Sequence, residues 1–193
     1  HSKTGLHLTQ GMGIIEAGLP LLNIEHAATC PTSVGKPTPS FEVKLDADGE
    51  LLLRGPGLFD AYLSPWQPRD EVLRDGWFPT GDIAEIDDTG SLFLKGRVRS
   101  VINVGGMKCF PEEVEAVLTS HPSVKAARVL ARPHPALGFV PVAEVIAETG
   151  TESALAAELK KLCQQRLSAY KVPLLFTFVT ELPLTASGKV RRY

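Results

Sequence analysis

The sequence predicts an α+β fold: a small antiparallel β segment, then a compact domain in which helices and strands are interspersed. Two hairpin signatures stand in the first half, at 41–54 and 82–95, and amphipathic helical patterns begin only at Pro111 and again at Ser153. The 193 residues, 44% apolar and 22% charged, can bury one ordinary core or two small ones.

In chain order, the first thirty residues are rich in Gly and Leu and show no clear period, and Pro31-Thr32-Ser33-Val34-Gly35-Lys36-Pro37 reads as a loop. Phe41 to Leu45 then alternates, Asp46-Ala47-Asp48-Gly49 turns, and Glu50 to Arg54 returns. Asp82 to Ile86, the turn Asp87-Asp88-Thr89-Gly90 and Ser91 to Lys95 repeat the design. Beyond Arg97 the pattern changes, and the boundary is expected near Arg97 to Ser100.

Pro111 suits the first turn of a helix, Glu112 and Glu113 suit its positive end, and Val114, Val117 and Leu118 recur at helical spacing. Val124 to Leu130 and Phe139 to Ala147 read as strands. Ser153 to Leu167 reads as a second helix with a buried face of Leu155, Leu159, Leu162 and Leu167, and Leu174 to Val179 as a last strand.

The net charge of −2 and the scatter of Lys and Arg leave no basic stripe, which argues against a nucleic acid or an anionic membrane as partner. Cys30, Cys109 and Cys163 lie far apart, with no histidine at ligand spacing, so neither a zinc site nor a disulfide framework is expected. A reducing, cytoplasmic location fits that usage. No apolar run approaches the ~20 residues of a spanning helix.

Five strings carry the chemistry. They are Gly76-Trp77-Phe78-Pro79-Thr80-Gly81-Asp82, Gly96-Arg97-Val98-Arg99 through Gly105-Gly106, Phe110-Pro111-Glu112-Glu113-Val114-Glu115, Ala169-Tyr170-Lys171-Val172-Pro173, and Pro183-Leu184-Thr185-Ala186-Ser187-Gly188-Lys189-Val190-Arg191-Arg192. In the last, a Ser-Gly turn leaves Lys189 able to reach an anion as a compact point charge with three donors. In this order, from about Val34 onward, the set resembles the adenylate-forming superfamily of acyl-CoA synthetases, luciferases and peptide-synthetase adenylation domains.

The resemblance implies that 1–97 is the C-terminal end of a large AMP-binding domain and 98–193 a mobile C-terminal domain. A phosphate loop and most of the acyl pocket are missing from the string of residues, so the chain reads as the C-terminal part of a longer synthetase. The implied reaction converts a carboxylate and ATP to an acyl adenylate, then transfers the acyl group to the thiol of CoA. Carrier-protein or amino-acid adenylation and a non-catalytic remnant that binds a nucleotide or a partner remain alternatives. ATP, Mg²⁺ and CoA are the implied ligands, with a small carboxylate and an acyl carrier protein as candidate partners.

Residue by residue, the resemblance makes Lys189 the catalytic cation and gives Asp82 and Arg97 to the ribose. The plainer readings are a turn-capping aspartate and a surface ion pair, against which the whole Gly-Trp-Phe-x-Thr-Gly-Asp string speaks for Asp82. Arg99 falls at the hinge, where relatives usually carry Asp or Lys. Gly105 and Gly106 would line the pantetheine channel, a plain tight turn being the other reading, with Lys108 as a charge for a CoA phosphate. Glu16 would help bind Mg²⁺, a cation that takes carboxylate and phosphate oxygens. Met12 stands where the family has an adenine-facing aromatic residue. Ile15 replaces a threonine and cannot donate to a phosphate.

Overall fold

In the computed structural model, which describes residues 9–24, 29–148, 152–186 and 190–191, the first element is an antiparallel pair, β1 (Gln10–Ile14) and β2 (Gly18–Asn23). A short β3 (Lys36–Pro37) joins the far edge of β2. These strands occupy a stretch without sequence period, and β3 lies in the expected loop. In β1 only Met12 is buried, so Gly11 and Gly13 hide any alternation. Pro20, which argues against a strand, falls inside a register irregularity: Met12 faces Leu21 while Ile14 faces Gly18.

The expected hairpins follow. β4 (Glu42–Leu45) pairs with β5 (Glu50–Arg54), and the Asp46 carboxylate accepts the N–H groups of Asp48 and Glu50 at 2.9 and 2.8 Å to close the turn. A small hairpin unforeseen from sequence, β6 (Ala61–Leu63) with β7 (Trp66–Pro68), leads into a one-turn helix, α1 (Arg69–Val72). β8 (Phe78–Ile86) and β9 (Leu92–Arg97) complete a four-stranded sheet of order β4-β5-β8-β9. Leu21, Leu51, Leu53 and Leu92, each fully buried, anchor the core beside it.

The chain divides into two compact units, His1–Val98 and Arg99–Tyr193. In the second, β10 (Ile102–Val104) and β11 (Met107–Cys109) form a tight hairpin that leads into α2 (Pro111–Thr119). Pro111 occupies the first turn of α2 as expected, with Glu112 and Glu113 beside it. β12 (Val124–His134) and β13 (Gly138–Ala147) make a long antiparallel pair. After α3 (Glu152–Arg166), the short β14 (Phe176–Phe178) lies parallel to β13.

The path of this sheet is β11-β10-β13-β12, with β14 on β13 away from that path. Val114 and Leu118 of α2 and Leu155, Leu159 and Cys163 of α3 close its core. The buried line of α3 corrects the expected face. Positions 155, 159 and 163 stack at i, i+4 and i+8, and Cys163 is fully buried where Leu162 and Leu167 are only half-buried.

Candidate functional site

The Thr80-Gly81-Asp82 string leaves the β5–β8 ladder as a bulge. Glu50 faces Ile83 and Leu52 faces Pro79, so two steps along β5 are matched by four along β8. Gly81 takes φ +73°, which a residue with a Cβ rarely adopts, and so permits the bend. Thr80 stitches it down: its hydroxyl donates to the Leu51 carbonyl at 2.8 Å and accepts the Asp82 N–H at 3.1 Å.

Asp82 ends up opposite Arg97 across the β8–β9 pair. Its side chain is 8% exposed, a burial that a carboxylate tolerates only when paired, and Arg97 Nε lies 2.8 Å from Oδ1. Arg97 Nη1 also donates to the Thr80 carbonyl at 3.2 Å, so one guanidinium spans the bulge. The two residues assigned to the ribose by resemblance are thus in direct contact.

The front of the same string serves packing. Lys44 Nζ and Arg54 Cζ each lie over the Trp77 ring, 4.4 Å from its centroid, and Phe78 is buried edge-on against Phe59. Met12 is buried in the same core, 7% exposed, whereas Ile15 at the following turn is 99% exposed.

Glu16 is half-exposed and accepts the Tyr62 hydroxyl on Oε1 at 2.8 Å. An ionised carboxylate offers about four lone-pair sites, so a Mg²⁺ shared with phosphate oxygens fits this donor. Among the described residues no group of three or more His, Cys, Asp or Glu side chains is placed to hold a metal.

Burial, and after it the hydrogen bond and negative charge of Glu16, push the Tyr62 hydroxyl up to about 12. A folded-state value above the ordinary ~10 stabilises the fold fully below pH ~10, and the contribution is lost as pH rises toward 12. Ultraviolet titration of the chain against Tyr62→Phe should therefore show the Tyr62 tyrosinate forming well above pH ~10. Ionisation near 10 would contradict both the burial of this hydroxyl and its contact with Glu16.

In the second unit, Gly105 and Gly106 are the two central residues of the β10–β11 hairpin, with φ +58° and +90°. Both signs are those of a two-residue type I′ turn, and Asn103 Oδ1 accepts the Gly106 N–H at 2.8 Å. The tight-turn reading of these glycines holds, and a channel role would be additional to it. Lys108 is exposed on β11 directly across from Asn103, and Arg99 is exposed in a 3₁₀ turn at the start of this unit.

Lys171 of the Ala-Tyr-Lys-Val-Pro string binds Glu113 Oε2 at 2.6 Å, tying the turn after α3 to the first turn of α2. Lys189 lies outside the described residues, with Ser187 and Gly188. On either side of them, Leu184 and Val190 form an antiparallel bridge, and the Arg191 N–H donates to the Pro183 carbonyl at 2.8 Å. Arg128, paired across β12 and β13 with Glu144, donates from Nη1 to the Arg191 carbonyl at 2.8 Å.

Of the described histidines, His121 Nδ1 accepts the Ser123 N–H while its Nε2 lies 3.4 Å from Glu158 Oε2, and His134 Nδ1 accepts the Ala136 N–H. Cys109 and Cys163 are fully buried, which pushes both thiols up to about 11 and leaves them protonated at neutral pH. Arg128, Glu144 and Glu50 were not singled out from sequence, because charged residues inside strand patterns carry no signal until their cross-strand partners are known.

Residues 113–189 match the family model of the AMP-binding enzyme C-terminal domain. The chain is 37% identical over 187 residues to a 2-succinylbenzoate–CoA ligase of Listeria monocytogenes serotype 4b (strain F2365), covering 96% of this chain and 39% of that protein. It thus spans about two fifths of the length of the curated relatives it matches. Among solved structures it resembles o-succinylbenzoate CoA synthetase (MenE) of Bacillus subtilis in complex with its acyl-adenylate intermediate, OSB-AMP. That match has a TM-score of 0.88 and 31% identity, over 97% of this chain and 40% of the other. A second structure of that synthetase, in complex with ATP and magnesium ion, matches with a TM-score of 0.84 and 30% identity, over 98% and 41%.

Proposed function

Since the chain belongs to the adenylate-forming (AMP-binding) superfamily, we propose that it supplies the C-terminal part of an acyl-CoA synthetase that activates a carboxylate with ATP. The observation that carries this reading is the contact between Asp82 and Arg97 on the Thr-Gly-Asp bulge. There a carboxylate and a five-donor fork stand together, as recognition of a vicinal diol requires. The names of the relatives make 2-succinylbenzoate the first carboxylate to test.

In the first step a carboxylate oxygen attacks the α-phosphorus of ATP and pyrophosphate leaves. In the second a thiol attacks the acyl carbon of the adenylate and AMP leaves, the thiol proton passing to solvent. Asp82 accepts hydrogen bonds from the ribose hydroxyls while Arg97 holds its carboxylate still. Lys189 brings positive charge to the transferring phosphate, where electrostatic stabilisation is the main protein contribution. Glu16 would hold Mg²⁺, which supplies charge neutralisation on the phosphate oxygens when bound.

For the second step the thin Gly105-Gly106 turn admits the pantetheine arm and Lys108 attracts a CoA phosphate, with Arg99 as the hinge about which the C-terminal domain would move between the steps. Met12 keeps the core position described above, and contact with adenine would have to come from the backbone beside it.

Asp82→Ala in the full-length polypeptide should weaken ATP binding about tenfold to a hundredfold, since hydrogen bonds to a charged group contribute about 1.5–3 kcal/mol. Calorimetric titration measures it, and wild-type affinity in that variant would remove the ribose role. Pyrophosphate release that depends on 2-succinylbenzoate tests the substrate, and release with other carboxylates but not this one would redirect it.

A further inference from the structure

Glu50 opens β5 with 5% of its surface exposed, a placement in which a carboxylate needs defined partners. Oε1 accepts the Gly81 N–H at 2.9 Å and Oε2 accepts Arg74 Nη1 at 2.7 Å. Arg74 is further drawn toward Asp46, whose Oδ2 lies 3.9 Å away. The Gly81 N–H is one of the groups that the bulge takes out of the ladder, so Glu50 supplies by side chain the acceptor that β5 can no longer supply by backbone.

We infer that Glu50 is a positioning residue for nucleotide binding: its carboxylate, balanced by Arg74, holds the Thr80-Gly81-Asp82 bulge so that Asp82 meets the ribose in one geometry. The inference rests on the reading of Asp82 as the ribose ligand. Without the Glu50 acceptor, the Gly81 N–H has no ladder partner to return to in this register. Asp82, one residue on, then loses the fixed backbone that aims it.

The test measures affinity for ATP and for 2′,3′-dideoxy-ATP by calorimetry in the full-length protein, for wild type, Glu50→Ala, Glu50→Gln, Asp82→Ala and the Glu50→Ala/Asp82→Ala double variant. Glu50→Ala should weaken ATP about tenfold, the effect of a lost charged acceptor, and leave the dideoxy nucleotide, which has no diol to hold, at its wild-type affinity. The double variant should bind ATP no worse than Asp82→Ala alone, because the two residues act on one contact. Equal losses for both nucleotides, or additive losses in the double variant, would make Glu50 a general structural residue and overturn the inference.

Should Glu50→Ala fail to fold, Glu50→Gln decides the matter. It keeps an acceptor for Gly81 but turns a donor toward Arg74, so a smaller loss confined to ATP supports the role and an equal loss for both nucleotides overturns it. If Asp82→Ala binds ATP like wild type, the ribose reading falls and takes this inference with it. If Asp82→Ala is weakened while the Glu50 variants are not, only this inference falls.

Discussion

If the proposed reading of Lys189 holds, Lys189→Ala in the full-length protein is expected to slow acyl-adenylate formation by about two to three orders of magnitude, the cost of removing one positioned donor from a developing anion. The thioester half-reaction should be spared. A lysine that acts on the transferring phosphate has no partner once pyrophosphate has gone, so preformed acyl adenylate and CoA should react at close to the wild-type rate. Rapid-quench measurement of each half-reaction separates the two. Equal losses in both would make Lys189 a structural residue, and no loss in either would mean that the role implied by the Ser-Gly-Lys string does not apply to this chain.

Leu159→Ala should destabilise the second unit by about 2–5 kcal/mol, since it removes a large side chain from a packed core and leaves a cavity. Leu159 is fully buried between Leu155 and Cys163 on the face of α3 that closes the sheet. Denaturant unfolding should show a lower midpoint at unchanged slope. Leu162→Ala provides the contrast, because Leu162 is only half-buried and should cost clearly less. Equal costs at 159 and 162 would return the buried line of α3 to the face expected from the leucine pattern alone.

The residues most legible in the sequence are those whose local chemistry is self-sufficient. Pro111 with Glu112 and Glu113 marks the start of α2, and the alternation from Phe41 with the Asp46 turn marks the first hairpin. Both depend on neighbours a few positions away. β1, β2 and the β6–β7 hairpin were not legible, because their strands are short, their apolar residues do not alternate, and Pro20 is accommodated only by an irregular pairing.

The ordered strings carried by themselves the resemblance to a family, the α+β class and the candidate side chains for a nucleotide, because motif identity is a property of consecutive residues. The tertiary structure alone decided how Asp82 is held. Its partner Arg97 comes from across a strand pair, and Glu50 is thirty-one positions from the Gly81 N–H that it accepts. The physical reason is that a bulge removes backbone partners locally, while the groups that replace them are chosen by strand register, which no single stretch of sequence contains.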